Sequence, residues 1–276
     1  MLTPHGSYAE FAVGLEATTF HIPATTSFEE AATIPLAAMT AALGLYQRLQ
    51  LPLPWMPAQE RVPLVVYGAA SAVGAFAVKL ATLSNIHPIV CVAGRGAGYV
   101  ESLIDRSKGD TIVDYRKGQE EVVSGLRHAL RKGEKFAYAL DAVTDKGSYQ
   151  NLMEVMDLSN GRIALVLARK KYDGIPETVS KFFTQVGKIH SDRYPGIKGE
   201  RKPVGLLGDQ DFGAIMYKFF ERGLVKGWFK GHPFEVVPGG LHGVQTGLTN
   251  LKAGKASALK YVFRIGETAG LSRSNL

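Results

Sequence analysis

The stretch Val65-Val66-Tyr67-Gly68-Ala69-Ala70-Ser71-Ala72-Val73-Gly74 decides the reading of this chain. A short apolar run passes through a turn of small residues into a segment with small and apolar residues at helical spacing. A buried strand, a tight turn and a helix are expected. Small residues at such a turn let backbone approach a pyrophosphate closely. The helix N-terminus then offers free N–H groups and the positive end of its dipole to that anion. Gly74 lets the helix pack hard against the sheet. The spacing is G-x-x-S-x-x-G, not G-x-G-x-x-G, and a close-packed strand-to-helix junction without any ligand favours the same residues.

Outward from this turn, apolar runs at 62–67, 87–92, 111–113, 136–140 and 162–167 alternate with helix-like segments at 73–82, 99–106, 120–131 and 149–156. The alternation predicts a parallel sheet with helices on both faces. Right-handed crossovers make it a doubly wound α/β domain of Rossmann type. The flanks read differently. Residues 6–23 suggest two short strands and a turn. Residues 28–48 read as a helix capped by Ser27, with Glu30 in the capping-box position. Residues 49–63 contain Pro52, Pro54, Pro57 and Pro63, which predict a surface connection. Helices are expected over 212–222 and 239–251, and a closing strand over 260–265.

The end of the second strand, Ala93-Gly94-Arg95-Gly96, speaks to the choice of cofactor. Dinucleotide sites for the unphosphorylated coenzyme place an acidic side chain here, on the ribose hydroxyls. This chain has none. Gly94 makes room and Arg95 can fork onto a phosphate, which points to NADPH over NADH. An exposed Arg95 without such a role is the alternative.

Composition excludes several other classes. The chain has 276 residues, 46% hydrophobic and 21% charged, the balance of an ordinary globular protein. Cys91 is the one cysteine, so neither a disulfide-stapled scaffold nor a multi-cysteine metal module fits. The uncharged stretches 31–47 and 62–78 fall short of the roughly 20 apolar residues that span a bilayer. No signal peptide is visible at residues 1–10. A soluble, cytoplasmic protein that engages neither membrane nor nucleic acid is expected. The net charge of +7 is dispersed over Arg127, Arg131, Lys132 and Lys135, over 169–171 and over 198–202. No aromatic residues are interleaved with it, so it reads as solvated surface charge.

With these residues assembled, the chain resembles the medium-chain dehydrogenase/reductase superfamily, in particular its zinc-free branch of quinone oxidoreductases and fungal trans-acting enoyl reductases. The likeness is carried by GSYAEF at 6–11, by EEAATIPLAAMTAALGL at 29–45 and by the turn from Gly68 to Gly74. It continues through Asp114-Tyr115-Arg116, through Leu140-Asp141-Ala142-Val143 and through the closing stretch 254–265. The resemblance implies that Ser71, Ala72, Val73 and Gly74 hold the pyrophosphate of NADPH. It implies that Ala93, Gly94, Arg95 and Gly96 hold the ribose phosphate, and that Tyr115 lies beside the adenosine part. Leu165, Val166 and Leu167 would present backbone to the nicotinamide, and Tyr261 and Val262 would close over the cofactor. Thr40 would lie near the nicotinamide and substrate, or would simply bond its own helix backbone.

Zinc-dependent relatives carry a ligand where this chain has Leu36, and a leucine cannot ligate metal. The seven histidines show no H-x-x-x-H spacing. The chemistry expected without zinc is conjugate reduction: hydride passes to the β-carbon of an enone, an enoyl thioester or a quinone, and the α-carbon takes a proton. Oligomeric state stays open between monomer and homodimer. Fewer residues precede the cofactor strand than the family has, so the expected division is a remnant of a β-rich, chaperonin-10-like catalytic domain over 1–45, a Rossmann domain over 46–225 and a return to the catalytic domain over 226–276. Two other readings stand beside the reductase: an NADPH-binding protein that has lost part of its substrate cleft, and a basic protein reusing the dinucleotide fold for nucleic acid. The loop 184–208, with Tyr194 and Pro195, is the expected shaper of the substrate.

Overall fold

A computed structural model describes residues 6, 8–12, 14–167, 170–190 and 208–270. The basic stretch 198–202, Arg169, and Tyr194 and Pro195 of the expected substrate loop lie outside the described residues.

Pro35 breaks the first helical segment in two. α1 (Phe28–Ala32) begins at Ser27, whose Oγ accepts the Glu30 N–H at 3.1 Å. α2 (Pro35–Ala42) starts afresh, because proline has no N–H to donate and disfavours helical backbone at the residue before it. It runs on into a π-type turn over Leu43–Arg48. The single helix expected over 28–48 is corrected accordingly.

The chain forms two units, Leu36–Val186 and Met1–Pro35 with Gly187–Leu276. The first is the α/β unit. Its elements follow as β1 (Leu64–Tyr67), α3 (Ala72–Leu83), β2 (Ile89–Ala93), α4 (Ala97–Glu101), β3 (Thr111–Asp114), α5 (Gln119–His128), β4 (Tyr138–Asp141), α6 (Ser148–Met153), β5 (Arg162–Leu165) and β6 (Ser180–Phe183). The strands form one six-stranded sheet in the order β3-β2-β1-β4-β5-β6, every pair parallel. That is the doubly wound dinucleotide-binding order, with its switch point between β1 and β4.

Alternation along the strands sorts the core. Val65, Tyr67, Val90, Val92, Ile163 and Leu165 share one cluster with Val122 and Leu126 of α5 and Leu152 of α6. The intervening Val66, Cys91, Leu140 and Ala164 are equally buried and point to the opposite face. There the π-type turn packs, with Gly44 placed so that an added Cβ would meet Leu140 Cδ1 at 3.0 Å. Each such buried aliphatic side chain contributes about 1.5–3 kcal/mol. The unit takes in α2 and this turn and begins at Leu36, earlier than the expected residue 46.

Two differences from the expected elements have local causes. The helix expected over 99–106 stops at Glu101, because Asp105 accepts the Ser107 N–H at 2.9 Å and starts a separate 3-10 turn. Strand β6 was not expected. Its Ser180 and Lys181 are exposed, as suits a sheet edge, while Phe182 lies under the Arg162 guanidinium at 5.0 Å and Phe183 packs on Tyr172 at 5.6 Å.

The second unit contains α1, then α7 (Asp209–Lys226), β7 (Phe234–Val236), α8 (Val244–Lys252) and β8 (Lys260–Val262). Phe20 packs on Tyr217 of α7 at 5.3 Å, and Phe220 stacks on Phe229 at 4.8 Å. These aromatic contacts assign α7 to this unit, rather than to the Rossmann domain expected to run to 225. Glu30 accepts the Gly231 N–H at 2.8 Å and Thr33 accepts that of His232 at 2.9 Å, tying α1 to the segment before β7. β7 and β8 form a two-stranded parallel sheet. The two strands expected within 6–23 do not form among the described residues. A 3-10 turn over Glu16–Thr18 stands there, and Phe11 is exposed.

Candidate functional site

In register, Tyr67 pairs with Val92 and Asp141, and Asp141 pairs with Leu165. The C-terminal ends of β1, β2, β4 and β5 therefore finish level along one sheet edge. The turn from Gly68 to Gly74, the segment from Ala93 to Gly96 and the segment from Leu165 to Leu167 all leave the sheet at this edge. Most residues singled out in the sequence are brought together here.

The turn after β1 is shaped by its small residues. Gly68 has φ +78°, and an added Cβ would strike Val143 Cγ2. A Cβ on Gly74 would strike the Gly68 carbonyl oxygen and come within 2.8 Å of Ala69 Cα, so α3 meets the turn backbone directly. The N–H groups of Gly68 and Ala69 donate to the Val92 carbonyl, each at 3.0 Å, and the Ser71 N–H donates to the Gly68 carbonyl at 2.9 Å. Ser71 Oγ caps α3 by accepting the Gly74 N–H at 3.1 Å. The amides of Ala72 and Val73 have no acceptor within the helix and point out of its first turn. Ser71 is exposed, and Ala72 and Val73 are half-buried. The cradle thus offers an anion two amides and a helix dipole.

At the end of β2, Ala93 pairs with Asp114 and Gly94 is buried. The space at Gly94 is taken by the Tyr115 ring, whose Cε1 would lie 2.6 Å from an added Cβ. Gly94 therefore makes room for an aromatic ring. Tyr115 is 50% exposed, and Arg95 beside it is exposed. Asp114 accepts from the Arg116 side chain, Nε to Oδ1 at 2.9 Å and to Oδ2 at 3.1 Å and Nη2 to Oδ2 at 2.6 Å, and also accepts its backbone N–H at 2.9 Å. The guanidinium and the backbone bond hold the Asp114 carboxyl at about 2.

The loop after β4 holds residues to which the sequence reading assigned no role. Asp141 is fully buried. Its Oδ1 accepts the N–H groups of Val143 at 3.0 Å and Thr144 at 2.7 Å, and its Oδ2 accepts the Ser148 hydroxyl at 2.5 Å. Burial pushes its carboxyl above the ordinary value, against the pull of these donors. The result is a loop folded around one carboxylate, with Val143 pressed onto Gly68. Lys170 donates to the Thr144 carbonyl and to Asp145, each at 2.9 Å, and Tyr172 donates to the Leu167 carbonyl at 2.8 Å. The loops after β4 and β5 are thereby fastened together. The aspartate closing an apolar strand, with Thr144 and Ser148 close behind, was the signal in the sequence.

Val166 and Leu167 lie just beyond β5, and the Leu165 carbonyl accepts the Thr184 N–H at 2.9 Å. Thr40 is buried in α2, its proton donated to the Leu36 carbonyl at 2.7 Å. Leu36 is exposed in the first turn of that helix. Tyr261 and Val262 belong to the other unit, on β8, paired with Glu235 and Val236.

No family model matches the chain. "Trans-enoyl reductase fsr4" of Gibberella fujikuroi is 45% identical over 242 residues, which cover 87% of this chain and 67% of that protein. Among solved structures, an NAD-dependent alcohol dehydrogenase superimposes with a TM-score of 0.66 at 21% identity, over 93% of this chain and 65% of that one. The enoyl reductase CurK superimposes with a TM-score of 0.62 at 17% identity, over 87% and 64%. At such identities the structures speak for the fold, a Rossmann sheet joined to a second domain. The chain spans about two thirds of the length of the relatives it matches. No helix among the described residues is long and apolar enough to cross a membrane.

Proposed function

Because this chain belongs to the trans-enoyl reductases of the medium-chain dehydrogenase/reductase superfamily, we propose that it reduces an activated carbon–carbon double bond with NADPH and without zinc. The observation that carries the reading is the level sheet edge. Across the sheet the Tyr115 ring over Gly94 comes first, then the open amides of Ala72 and Val73 after β1, then the ends of β4 and β5, a succession that supports a dinucleotide laid along this edge.

The cradle fits such a group. Side chains at Gly68 and Gly74 would fill the turn, and their absence leaves backbone exposed to a diphosphate. When bound, the reduced nicotinamide supplies a hydride for the β-carbon of an enone or enoyl thioester, while a proton is added at the α-carbon. The amides of the α3 cradle hold the pyrophosphate. Arg95 grips the extra phosphate, and the lack of an acidic side chain between Ala93 and Gly96 supports the phosphorylated coenzyme. Half-exposed Tyr115 receives the adenosine part. Backbone from Leu165 to Leu167, steadied by Lys170 and Tyr172, orients the nicotinamide, with Thr40 near the substrate.

Leu36, where zinc-dependent relatives hold a ligand, supports the zinc-free assignment. A quinone accepts the same hydride, but the name of the relative at 45% identity favours an enoyl substrate. The partner is a small molecule and the setting cytoplasmic. The test is to titrate the purified protein with NADPH by fluorescence and then follow loss of NADPH absorbance with an enoyl thioester. Saturable binding with turnover is expected. Silence at millimolar coenzyme from folded protein would overturn the reading.

A further inference from the structure

The strand pairing sets Asp114 beside Ala93, one residue from Gly94 and two from Arg95. The Tyr115 ring that follows it lies over Gly94. Asp114 thus ends its strand at the same sheet edge as the place where, on the reading above, an additional phosphate is held. A fixed negative charge there repels a phosphate dianion and favours the unphosphorylated coenzyme. Arg116 is turned onto the Asp114 carboxylate, with side-chain bonds at 2.6, 2.9 and 3.1 Å.

We propose that Arg116 is a specificity-determining residue for NADPH that acts through Asp114, by neutralising a carboxylate that would otherwise repel the 2′-phosphate. The inference rests on the NADPH reading and goes beyond it, because Arg116 need not touch the coenzyme. Arg95 supplies attraction; the Asp114–Arg116 pair removes a repulsion. The two contributions are separable, since Arg116 is exposed, Asp114 is half-buried and neither is part of the core. The Asp114 carboxylate has a local duty as well, capping the turn at the Arg116 N–H, which an asparagine oxygen can also perform.

The experiment measures NADPH and NADH affinity by fluorescence for the native protein, Arg116→Gln, Asp114→Asn and the double variant, with thermal unfolding of each as a fold check. Arg116→Gln is expected to weaken NADPH by about tenfold and to leave NADH within about twofold. The double variant is expected to recover NADPH to within about twofold of native, because neither charge remains. If the double variant stays as weak as Arg116→Gln, the guanidinium grips the phosphate directly and the inference is overturned. Equal losses for NADPH and NADH overturn it as well. A native protein that binds NADPH no better than NADH defeats the NADPH reading and this inference together. A native preference followed by equal losses in Arg116→Gln defeats the inference alone.

Discussion

The Tyr115 ring occupies the volume that a side chain at Gly94 would need, with Cε1, Cζ and the hydroxyl all within 2.9 Å of an added Cβ. The glycine read in the sequence as space for a phosphate is, in the fold, the seat of an aromatic ring.

Gly94→Ala is therefore expected to push Tyr115 aside. The atoms that clash are the far end of a side chain that is half exposed, so the fold should change little, with a stability loss within about 1 kcal/mol. Binding of the adenosine part should suffer for both coenzymes, by about tenfold. Fluorescence titration with NADPH and NADH checks this, and unchanged affinities would remove Tyr115 from the site.

Gly74→Ala meets backbone instead. The Gly68 carbonyl and Ala69 Cα cannot rotate out of the way, so α3 must lift from β1. A loss of about 1–3 kcal/mol is expected in urea unfolding. A variant as stable as the native protein would mean that α3 does not rest on this turn.

Ser71 both caps α3 and borders the anion cradle. Ser71→Asp separates these duties. Aspartate is as good a cap and suits the helix dipole, so stability should be kept or slightly raised. Its charge would sit at the proposed pyrophosphate position, and both coenzymes should lose at least about tenfold in affinity. Retained affinity would move the pyrophosphate elsewhere.

The Asp114 carboxyl, at about 2 in the folded chain, lies below its unfolded value of about 3.9. Its stabilising contribution is present above that unfolded value and is lost as pH falls toward about 2. Arg116→Gln removes the largest cause and should return the carboxyl toward the ordinary range. A carboxyl NMR titration reads the midpoint directly; identical midpoints in native and variant would refute the pairing as its origin.

The legible part of this protein was what local chemistry enforces. Val65 to Tyr67 are apolar on both faces because the strand is covered on both sides, and that announces a central parallel strand without any partner in view. Gly68, Ser71 and Gly74 are small because backbone meets backbone there. Strand β6 was illegible because an edge strand needs little apolar surface, and Ser180 and Lys181 look like a loop. Asp141 stood in the open as a strand-ending acid, but its work is to collect Val143, Thr144 and Ser148, a pattern of bonds that spacing alone does not display.

By itself the sequence determined the α/β alternation, the small-residue turn after β1 and the missing acid after β2, since each depends on side-chain size or charge within a few residues. Only the tertiary structure decided that Glu30 reaches Gly231 instead of acting purely as a local cap, that α7 joins the unit of α1, and that Tyr115 covers Gly94 while Arg116 turns to Asp114. Those choices depend on which distant surfaces meet, and a side chain with several possible partners takes the one that packing brings within reach.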